Sequence, residues 1–238
     1  MATMSPAMGE MRHYQRYLFS KIQPWLGRRI LEIGVGHGTY TEWFLERGDV
    51  LAADIDAECL EEVRQRFGKH PRLRTTQVDL NDQASIEACR DFRADTIVCI
   101  NVLEHIERDE QTLAALRDVL VPGGRLVLIV PAHPALFGRM DQEAGHFRRY
   151  TRGNLSRSLA ACGWRVERAR YLNVIGGMGW WFHNRVRREA GLADESVNTQ
   201  MRSADRWLPL LARLTDPLCG RWAGLSVLAV GSRPKDAT

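Results

Sequence analysis

The residues Leu31 to Tyr40, LEIGVGHGTY, lead from an apolar run into a turn that has glycine at every second position. The run RRILEI, which begins three residues earlier and overlaps this stretch, is rich in aliphatic and β-branched side chains and predicts a buried strand over 28–33. Glycine lets the backbone adopt positive φ and approach a ligand closely. A helix is predicted over 39–46, so the stretch indicates the first strand–turn–helix unit of an α/β sheet.

The alternation of strands and helices continues along the chain. Further strands are predicted over 50–54, 73–79, 95–100, 125–131, 164–172 and 224–232, and further helices over 10–26, 58–67, 111–120 and from an N-cap at Thr151. Aliphatic strands separated by helices predict a doubly wound α/β fold, with a mostly parallel seven-stranded sheet covered on both faces. Ligands of such sheets lie beyond the carboxyl ends of the strands.

Composition and cysteine content exclude several classes of protein. The 238 residues are 45% hydrophobic and 26% charged, with a formal net charge of +4, which is typical of a globular chain with a mild basic excess. The cysteines are scattered and show no C-x-x-C spacing, which argues against a disulfide framework or a zinc-thiolate site. The sequence shows no secretory signal and no apolar run that could span a bilayer, so a cytoplasmic protein is predicted.

The glycine turn differs from the dinucleotide-binding fingerprint. It reads G-x-G-x-G, and Glu32 lies two residues before its first glycine, where a carboxylate suits a cationic ligand better than a pyrophosphate. Asp54 ends the second strand, 20 positions after Gly34 (54 − 34), where it can accept both hydroxyls of a ribose. Asp79 ends the third strand and is placed to accept from an adenine amino group. S-adenosylmethionine offers an ammonium and a sulfonium to such a site.

Two later runs complete a family pattern. NVLEHI over 101–106 follows the fourth strand, and LVPGGRLVLIVP over 120–131 contains the fifth. In motif order and spacing, residues 29–131 resemble the class I S-adenosylmethionine-dependent methyltransferase family. The resemblance implies that the loop around the methionine part is formed by Glu32, Gly34, Gly36 and Gly38. It implies that Asp54 binds the ribose and that Asp79 and Leu80 contact the adenine. Asn101 and Val102 would line the cofactor from the fourth strand. Asp56 is an alternative partner of the ribose, but Asp54 is preferred because it directly ends the apolar run of the second strand.

The resemblance also implies a single methyltransferase domain over 1–238. Its predicted parts are an N-terminal helix over 10–26, a cofactor-binding core over 28–131 and an acceptor-side region over 132–238. The last part contains a helical insertion over 176–223, before the final strand. Within the insertion, a loop over 194–198 is expected to separate two helices.

Three alternatives stay open. A nicotinamide or flavin Rossmann domain has a similar glycine turn, and a methyltransferase fold that has lost catalysis would bind S-adenosylmethionine without turnover. An RNA-modifying enzyme would account for the basic charge. Base methyltransferases of nucleic acids usually carry a proline-aromatic tetrapeptide after the fourth strand, where this chain has NVLE. The predicted acceptor is a small molecule or a lipid- or glycan-linked group, and nucleic acid is not predicted.

The acceptor is expected near the loop that follows the fifth strand. O-methylation is the predicted reaction, and C- and N-methylation are the alternatives. If a hydroxyl accepts the methyl group, a general base helps to remove its proton. The candidate bases are His105, His133, Asp141 and His146. His146, in the run GHFRRYT, is preferred, although it and Tyr150 could instead tie this loop to the sheet. The predicted substrate-side residues are His105, His133, Arg148, Arg149 and Tyr150, and the arginines favour an anionic acceptor.

A metal-dependent alternative rests on Glu104, His105 and His146. They resemble part of the E-x-x-E-H…H site of RNA 2′-O-methyltransferases that use a divalent metal, and a related pattern in ubiquinone-pathway O-methyltransferases. Asn101 replaces the first glutamate of that pattern and removes a charged ligand. No metal is therefore predicted.

The insertion over 176–223 interleaves tryptophans with arginines. They are Trp180, Trp181, Trp207 and Trp222, with Arg185, Arg187, Arg188, Arg202, Arg206, Arg213 and Arg221. A helical cap with tryptophans packed on the sheet is the favoured hypothesis. The alternatives are a lid over a lipid-linked acceptor and a pair of amphipathic helices in peripheral contact with a membrane.

Overall fold

The computed structural model describes residues 9–177 and 195–235, and the structural statements below concern these ranges. The strands are β1 (Arg29–Ile33), β2 (Asp49–Asp54), β3 (Leu73–Gln77), β4 (Thr96–Ile100), β5 (Arg125–Pro131), β6 (Arg165–Leu172) and β7 (Ser226–Ser232). The helices are α1 (Arg12–Ile22), α2 (Thr41–Arg47), α3 (Ala57–Phe67), α4 (Gln83–Glu87), α5 (Asp109–Val119), α6 (Arg139–Glu143), α7 (Arg152–Ala161), α8 (Glu195–Ala204) and α9 (Leu208–Cys219).

The strands form one sheet in the order β3-β2-β1-β4-β5-β7-β6. β7 runs antiparallel to β5 and β6, and the other described pairs are parallel. Leu31 of β1 lies opposite Leu51 of β2 on one side and Ile97 of β4 on the other. The strand order therefore switches between β1 and β4, and the predicted doubly wound, mostly parallel seven-stranded sheet is confirmed.

Each face of the sheet has its own hydrophobic core. One core joins Leu31 and Ile97 to side chains of α4, α5 and α7. The other joins Ile30 and Val50 to side chains of α1, α2, α3 and α9. Successive side chains of a strand point to opposite faces, so the neighbours Ile30 and Leu31 are both fully buried, each in a different core. This burial on both faces explains why β1 is aliphatic with no polar alternation.

The predicted strands begin and end within two residues of the observed ones, and Thr151 caps α7 by accepting the N–H of Asn154 at 3.0 Å. The loop expected over 194–198 is wrong, because α8 begins at Glu195 and the break between the two insertion helices falls at 205–207. Glu195 lies in the first turn of α8, where a negative charge stabilises a helix. Polar composition there marks the start of a helix and not a loop.

The insertion is attached to the core through two buried carboxylates. Asp205 accepts the N–H groups of His13 and Tyr14 at 3.2 and 2.9 Å, so it caps the first turn of α1 from a remote part of the chain. Asp216 of α9 accepts the Tyr17 hydroxyl and the N–H groups of 173 and 174, the latter two at 3.2 Å each. Hydrogen bonds to α1 and to the segment after β6 therefore hold α8 and α9 in place.

Three further sequence predictions concern the cysteines, membrane-crossing helices and the first part of the insertion. The five cysteines are free thiols. Within 9–177 and 195–235, no helix combines the length and apolar character that a membrane-crossing segment needs. Trp180, Trp181, Arg185, Arg187 and Arg188 lie outside the described residues.

We expect Asp216→Ala to lower the free energy of unfolding by roughly 2–4 kcal/mol, because it leaves the buried Tyr17 hydroxyl and the N–H of Val174 without an acceptor and removes one of two acceptors of the Asn173 N–H. Tyr17→Phe removes the hydroxyl that donates to Asp216 and accepts the N–H of Asn173, but both partners keep another hydrogen bond, so it should cost about 1 kcal/mol. Urea unfolding followed by circular dichroism measures both. Equal stability of Asp216→Ala and the unmodified protein would show that Asp216 does not anchor the insertion.

Candidate active site

A cavity of about 1400 Å³ opens beyond the carboxyl ends of β1, β2 and β4. The glycine turn after β1 and the loops after β2, β3 and β4 form one part of its wall. α1 contributes Tyr14, and the insertion contributes Met201 and Trp207. The wall is mostly apolar, and it lies at the edge of the sheet where a ligand is expected.

The turn after β1 needs glycine for two different reasons. Gly34, Gly36 and Gly38 have φ values of 70°, 50° and 72°, in the left-handed region. A Cβ at Gly34 would lie 2.2 Å from Cγ2 of Val102, so the turn and the loop after β4 are in close contact. A Cβ at Gly36 would meet nothing within 4 Å. Open space therefore lies against the backbone at Gly36, where a ligand can approach.

Asp54 connects this turn to the end of β2. Its Oδ2 accepts the N–H of Gly36 at 2.8 Å, and its Oδ1 accepts the N–H of Asp56 at 3.0 Å. Asp56 has a different task, because its carboxylate caps α3 by accepting the N–H of Glu58 at 2.8 Å. Both carboxylates line the cavity, and Asp54 is the one that is bonded to the glycine turn. Asp79 is half-buried in the loop after β3, where it accepts the N–H of Asn81 at 2.8 Å.

Glu32 places a buried carboxyl group under the glycine turn. It is 4% exposed and accepts the Thr41 hydroxyl at 2.7 Å. Burial raises the pKa of Glu32 to about 8, although the hydrogen bond from Thr41 favours the carboxylate. A cationic group bound in the cavity would favour the ionised form of Glu32 and lower this pKa again.

His146 and Asp141 form a hydrogen-bonded pair on the cavity wall. The Nδ1 of His146 lies 2.9 Å from Oδ1 of Asp141, which also accepts the Nε–H of Arg149 at 2.7 Å. Burial alone would raise the pKa of Asp141, but the hydrogen bond from His146 and the guanidinium of Arg149 lower it below its ordinary value. An ionised carboxylate can only accept, so the proton of neutral His146 is on Nδ1 and its Nε2 carries a lone pair.

Glu104 and His105 lie beside His146. Glu104 is fully buried, neither of its carboxyl oxygens has a hydrogen-bond partner in the described structure, and burial raises its pKa to about 8. Its Oε1 is 3.9 Å from Nε2 of His146. Burial lowers the pKa of His105 to about 4, which keeps that ring neutral at physiological pH. Ligand atoms of these three side chains all lie within 4.8 Å of one another, so the cluster could hold a divalent cation.

The structure brings most of the sequence-predicted residues together. Those that line the cavity are Glu32, Gly34, Gly36, Asp54, Asp79, Leu80, Asn101, Val102, His105, His146 and Arg149. Gly38 is not among them. A Cβ there would lie 3.0 and 3.2 Å from side chains of Phe67 and Val63, so this glycine allows the turn to pack on α3.

Three predicted substrate-side residues lie outside the cavity wall. Arg148 binds Asp109 at 2.8 Å, and the Tyr150 hydroxyl donates to the same carboxylate at 2.8 Å. His133 stacks on Tyr171, with 4.6 Å between the ring centroids. These contacts tie the loop after β5 to its neighbours, so the cavity gives no support to a substrate role for these three residues.

Sequence reasoning missed several residues of the cavity. Asp141 was considered only as a base and not as the partner of His146, and Glu104 only as part of a metal pattern. Tyr14 comes from α1, for which the sequence predicted a helix but not a place on the cavity wall. The one sequence clue was the polar residue Asp141 five positions before His146, in a stretch too short to show periodicity.

Comparison with known proteins identifies the domain. A methyltransferase-domain family model matches residues 31–126. An uncharacterised protein of Synechococcus sp. is 37% identical over 116 residues, which cover 46% of this chain and 27% of that protein. A demethylmenaquinone methyltransferase of Renibacterium salmoninarum is 27% identical over 157 residues, which cover 65% of this chain and 60% of that enzyme. The chain thus spans less than two thirds of the length of either relative.

A solved structure shows the same fold over nearly the whole chain. The S-adenosylmethionine-dependent methyltransferase of Mesorhizobium loti matches with a TM-score of 0.61 at 17% identity, covering 91% of this chain and 98% of that one. The strand order agrees with this fold, and the matched domain contains the glycine turn with its carboxylates. Residues 31–126 are therefore a methyltransferase domain, and the chain has the fold of class I S-adenosylmethionine-dependent methyltransferases.

Proposed function

We propose that the protein transfers a methyl group from S-adenosylmethionine to a hydroxyl oxygen of a small, largely apolar acceptor bound in the cavity. The observation that carries this proposal is the His146–Asp141 pair on the cavity wall, with Nδ1 and Oδ1 2.9 Å apart. A module that only holds the cofactor would have no use for an oriented base beside it. We assign His146 as the general base.

S-adenosylmethionine is the cofactor of this family, and the residues present fit it. When bound, it supplies a methyl group already activated by attachment to a sulfonium. Glu32 provides a buried carboxyl for its ammonium, and Gly36 leaves the backbone open for close approach. Asp54 has carboxylate lone pairs beyond those used by Gly36 and Asp56, which are available to ribose hydroxyls.

The chain's own residues then handle the proton of the acceptor. Nε2 of His146 takes the hydroxyl proton as the oxygen is methylated. The resulting imidazolium is stabilised by the ionised Asp141, and Arg149 keeps Asp141 ionised. The apolar wall excludes water, which strengthens these charge interactions and limits hydrolysis.

The acceptor class follows from which charges are already paired. Arg149 is 5% exposed and forms an ion pair with Asp141, and Arg148 forms one with Asp109. The cationic groups that favoured an anionic acceptor in the sequence thus have internal partners. A neutral acceptor with a hydroxyl and an apolar body matches the mostly apolar wall better.

A divalent cation held by Glu104, His105 and His146 is the second candidate mechanism, favoured by the unpartnered oxygens of Glu104. In that case the cation would polarise the acceptor hydroxyl, and His146 would be a ligand through Nε2 while donating Nδ1–H to Asp141. Exhaustive chelation separates the two mechanisms. Turnover that survives chelation supports the base, and turnover that is lost and restored by Mn²⁺ supports the cation.

We expect Asp54→Ala to weaken binding of S-adenosylmethionine by about 100-fold, because it removes an ionised acceptor worth roughly 1.5–3 kcal/mol per hydrogen bond. Asp56→Ala is the matched control, since it removes a carboxylate two residues away that caps α3. It should lower stability by about 1 kcal/mol and leave cofactor affinity unchanged. Calorimetric titration measures both. Loss of affinity only in Asp56→Ala would move the ribose site to that residue.

Cofactor binding should release close to one proton near pH 7. The pKa of Glu32 is about 8 without ligand, so its carboxyl is mostly protonated there, and the cofactor ammonium favours the ionised form. Affinity should therefore increase as pH rises towards about 8. Titration in buffers of different ionisation enthalpy counts the protons. Glu32→Gln should abolish the release, and the exposed Glu42→Gln should not. Equal release from both variants would show that another group titrates.

His146→Ala should reduce kcat by roughly 10²–10⁴-fold while cofactor affinity stays within a factor of about two, because the ring acts on the acceptor and not on the cofactor. S-adenosylhomocysteine formation with an acceptor that the unmodified protein methylates is the measurement. His133→Ala, which removes a histidine outside the cavity, should retain turnover. Full activity of His146→Ala would exclude His146 as the base.

A further inference from the structure

Helix α9 and the residues beside it present large apolar side chains to solvent on one side. All but Trp222, which follows the end of α9, are at helical spacing and therefore share one side. The members, named here the α9 stripe, are Trp207, Leu210, Leu211, Leu214, Leu218 and Trp222, with 49%, 58%, 39%, 70%, 71% and 70% exposure. Contiguous apolar surface of this kind on a folded protein marks an interaction site.

The opposite side of α9 is attached to the core by small or polar residues. Pro209, Ala212 and Asp216 are the buried residues of this helix. Asp216 binds α1 through the Tyr17 hydroxyl. The side chains that are more than half exposed, Leu210, Leu214, Leu218 and Trp222, are therefore available to a partner.

The charges around the α9 stripe indicate what that partner is. Arg206, Arg213 and Arg221 are exposed, and none of them forms a salt bridge or side-chain hydrogen bond with the residues described in 9–177 and 195–235. Between 206 and 222 the only acidic residue is Asp216, which is 1% exposed and faces the core. Residues 206–222 thus combine apolar side chains, two tryptophans and cations without a described ion-pair partner, with no exposed acid among them.

The cavity lies directly beside this surface. Trp207 belongs to the α9 stripe and also lines the cavity, and the next residue, Leu208, lines it too. A molecule held at the stripe would therefore be next to the acceptor site. This continuity connects the outer surface with the chemistry proposed for His146.

We propose that the α9 stripe docks on the surface of a membrane that contains anionic lipids, and that the acceptor enters the cavity from that membrane. The second part rests on the proposed function. Leucines and tryptophans insert at the boundary between headgroups and acyl chains, and arginines beside them bind anionic headgroups. An apolar acceptor with a hydroxyl, as the cavity wall favours, would be delivered by a lipid phase.

A second copy of the chain fits the same surface less well. A two-fold contact between copies through the stripe would bring their unpaired arginines together with no exposed acid among residues 206–222 to compensate them. An anionic membrane supplies the missing negative charge. Charge complementarity therefore favours the lipid surface.

Sedimentation of the full-length protein with vesicles tests the docking. The vesicles contain phosphatidylcholine alone, or equal parts of phosphatidylcholine and phosphatidylglycerol. We expect binding to the anionic vesicles that weakens with salt, and weak binding to the neutral ones. Replacing Arg206, Arg213 and Arg221 together by Gln should weaken binding by roughly 100-fold, at about five-fold for each arginine.

The matched control replaces Lys69, Arg72 and Arg74 by Gln. These residues are also exposed, and Arg74 lies in β3, at the edge of the sheet farthest from β6. The change in net charge is identical, but vesicle affinity should stay within a factor of about two. A second variant, Leu214→Glu with Leu218→Glu, should abolish binding without lowering the thermal midpoint, because both side chains are exposed and outside the cavity wall.

Three results would overturn the proposal. They are equal binding of the unmodified protein to neutral and anionic vesicles, an equal loss in the control variant, and a dimer in solution that Leu214→Glu with Leu218→Glu dissociates. Cofactor titration without vesicles is independent of this experiment. If vesicle binding holds but the cofactor does not bind, the proposed function fails and the docking surface stands.

Discussion

The hydrogen bond from the Gly36 backbone to the Asp54 carboxylate sets the geometry on which the site depends. It joins the ends of two adjacent parallel strands and, together with the N–H groups of Gly34 and Val35 bonded to Ala53, fixes the path of the turn. Because Val102 fills the space where a Gly34 Cβ would lie, the loop after β4 is positioned by the same turn. Three strand ends thus share one arrangement, which sets the shape of the cavity wall between them.

Much of this arrangement was predictable from sequence because it is local. The alternation of aliphatic strands and helices, the glycine turn and the carboxylates at the ends of β2 and β3 are all encoded within short windows. The partner of His146 was not predicted, since the pairing of Asp141 depends on α6, a helix of five residues. Burial of Glu104 without a hydrogen-bond partner was also beyond the sequence, because it is set by contacts between distant segments.

Formal charge is a poor guide to available charge. Arg148 and Arg149 stand in the loop after β5, and their presence in the sequence favoured an anionic acceptor. Each has a carboxylate partner, Asp109 and Asp141, so neither contributes a free cation to the cavity. Arg213 shows the reverse case: nothing in the sequence distinguishes it from Arg149, yet it is exposed and has no described partner. Only the folded chain separates arginines that complete the structure from those that face an external ligand.

The attachment of α9 explains how the protein can retain a large apolar surface. In a surface helix, the apolar face normally packs on the core and the polar face meets water. In α9 the attachment is made by hydrogen bonds of Asp216, and the leucines face outwards. Exposed apolar area is unfavourable by about 25 cal/mol per Å² in water, a penalty that a lipid phase removes. Under the proposed docking, the outer leucines of α9 would leave water while Asp216 keeps the helix attached beside the cavity wall at Trp207.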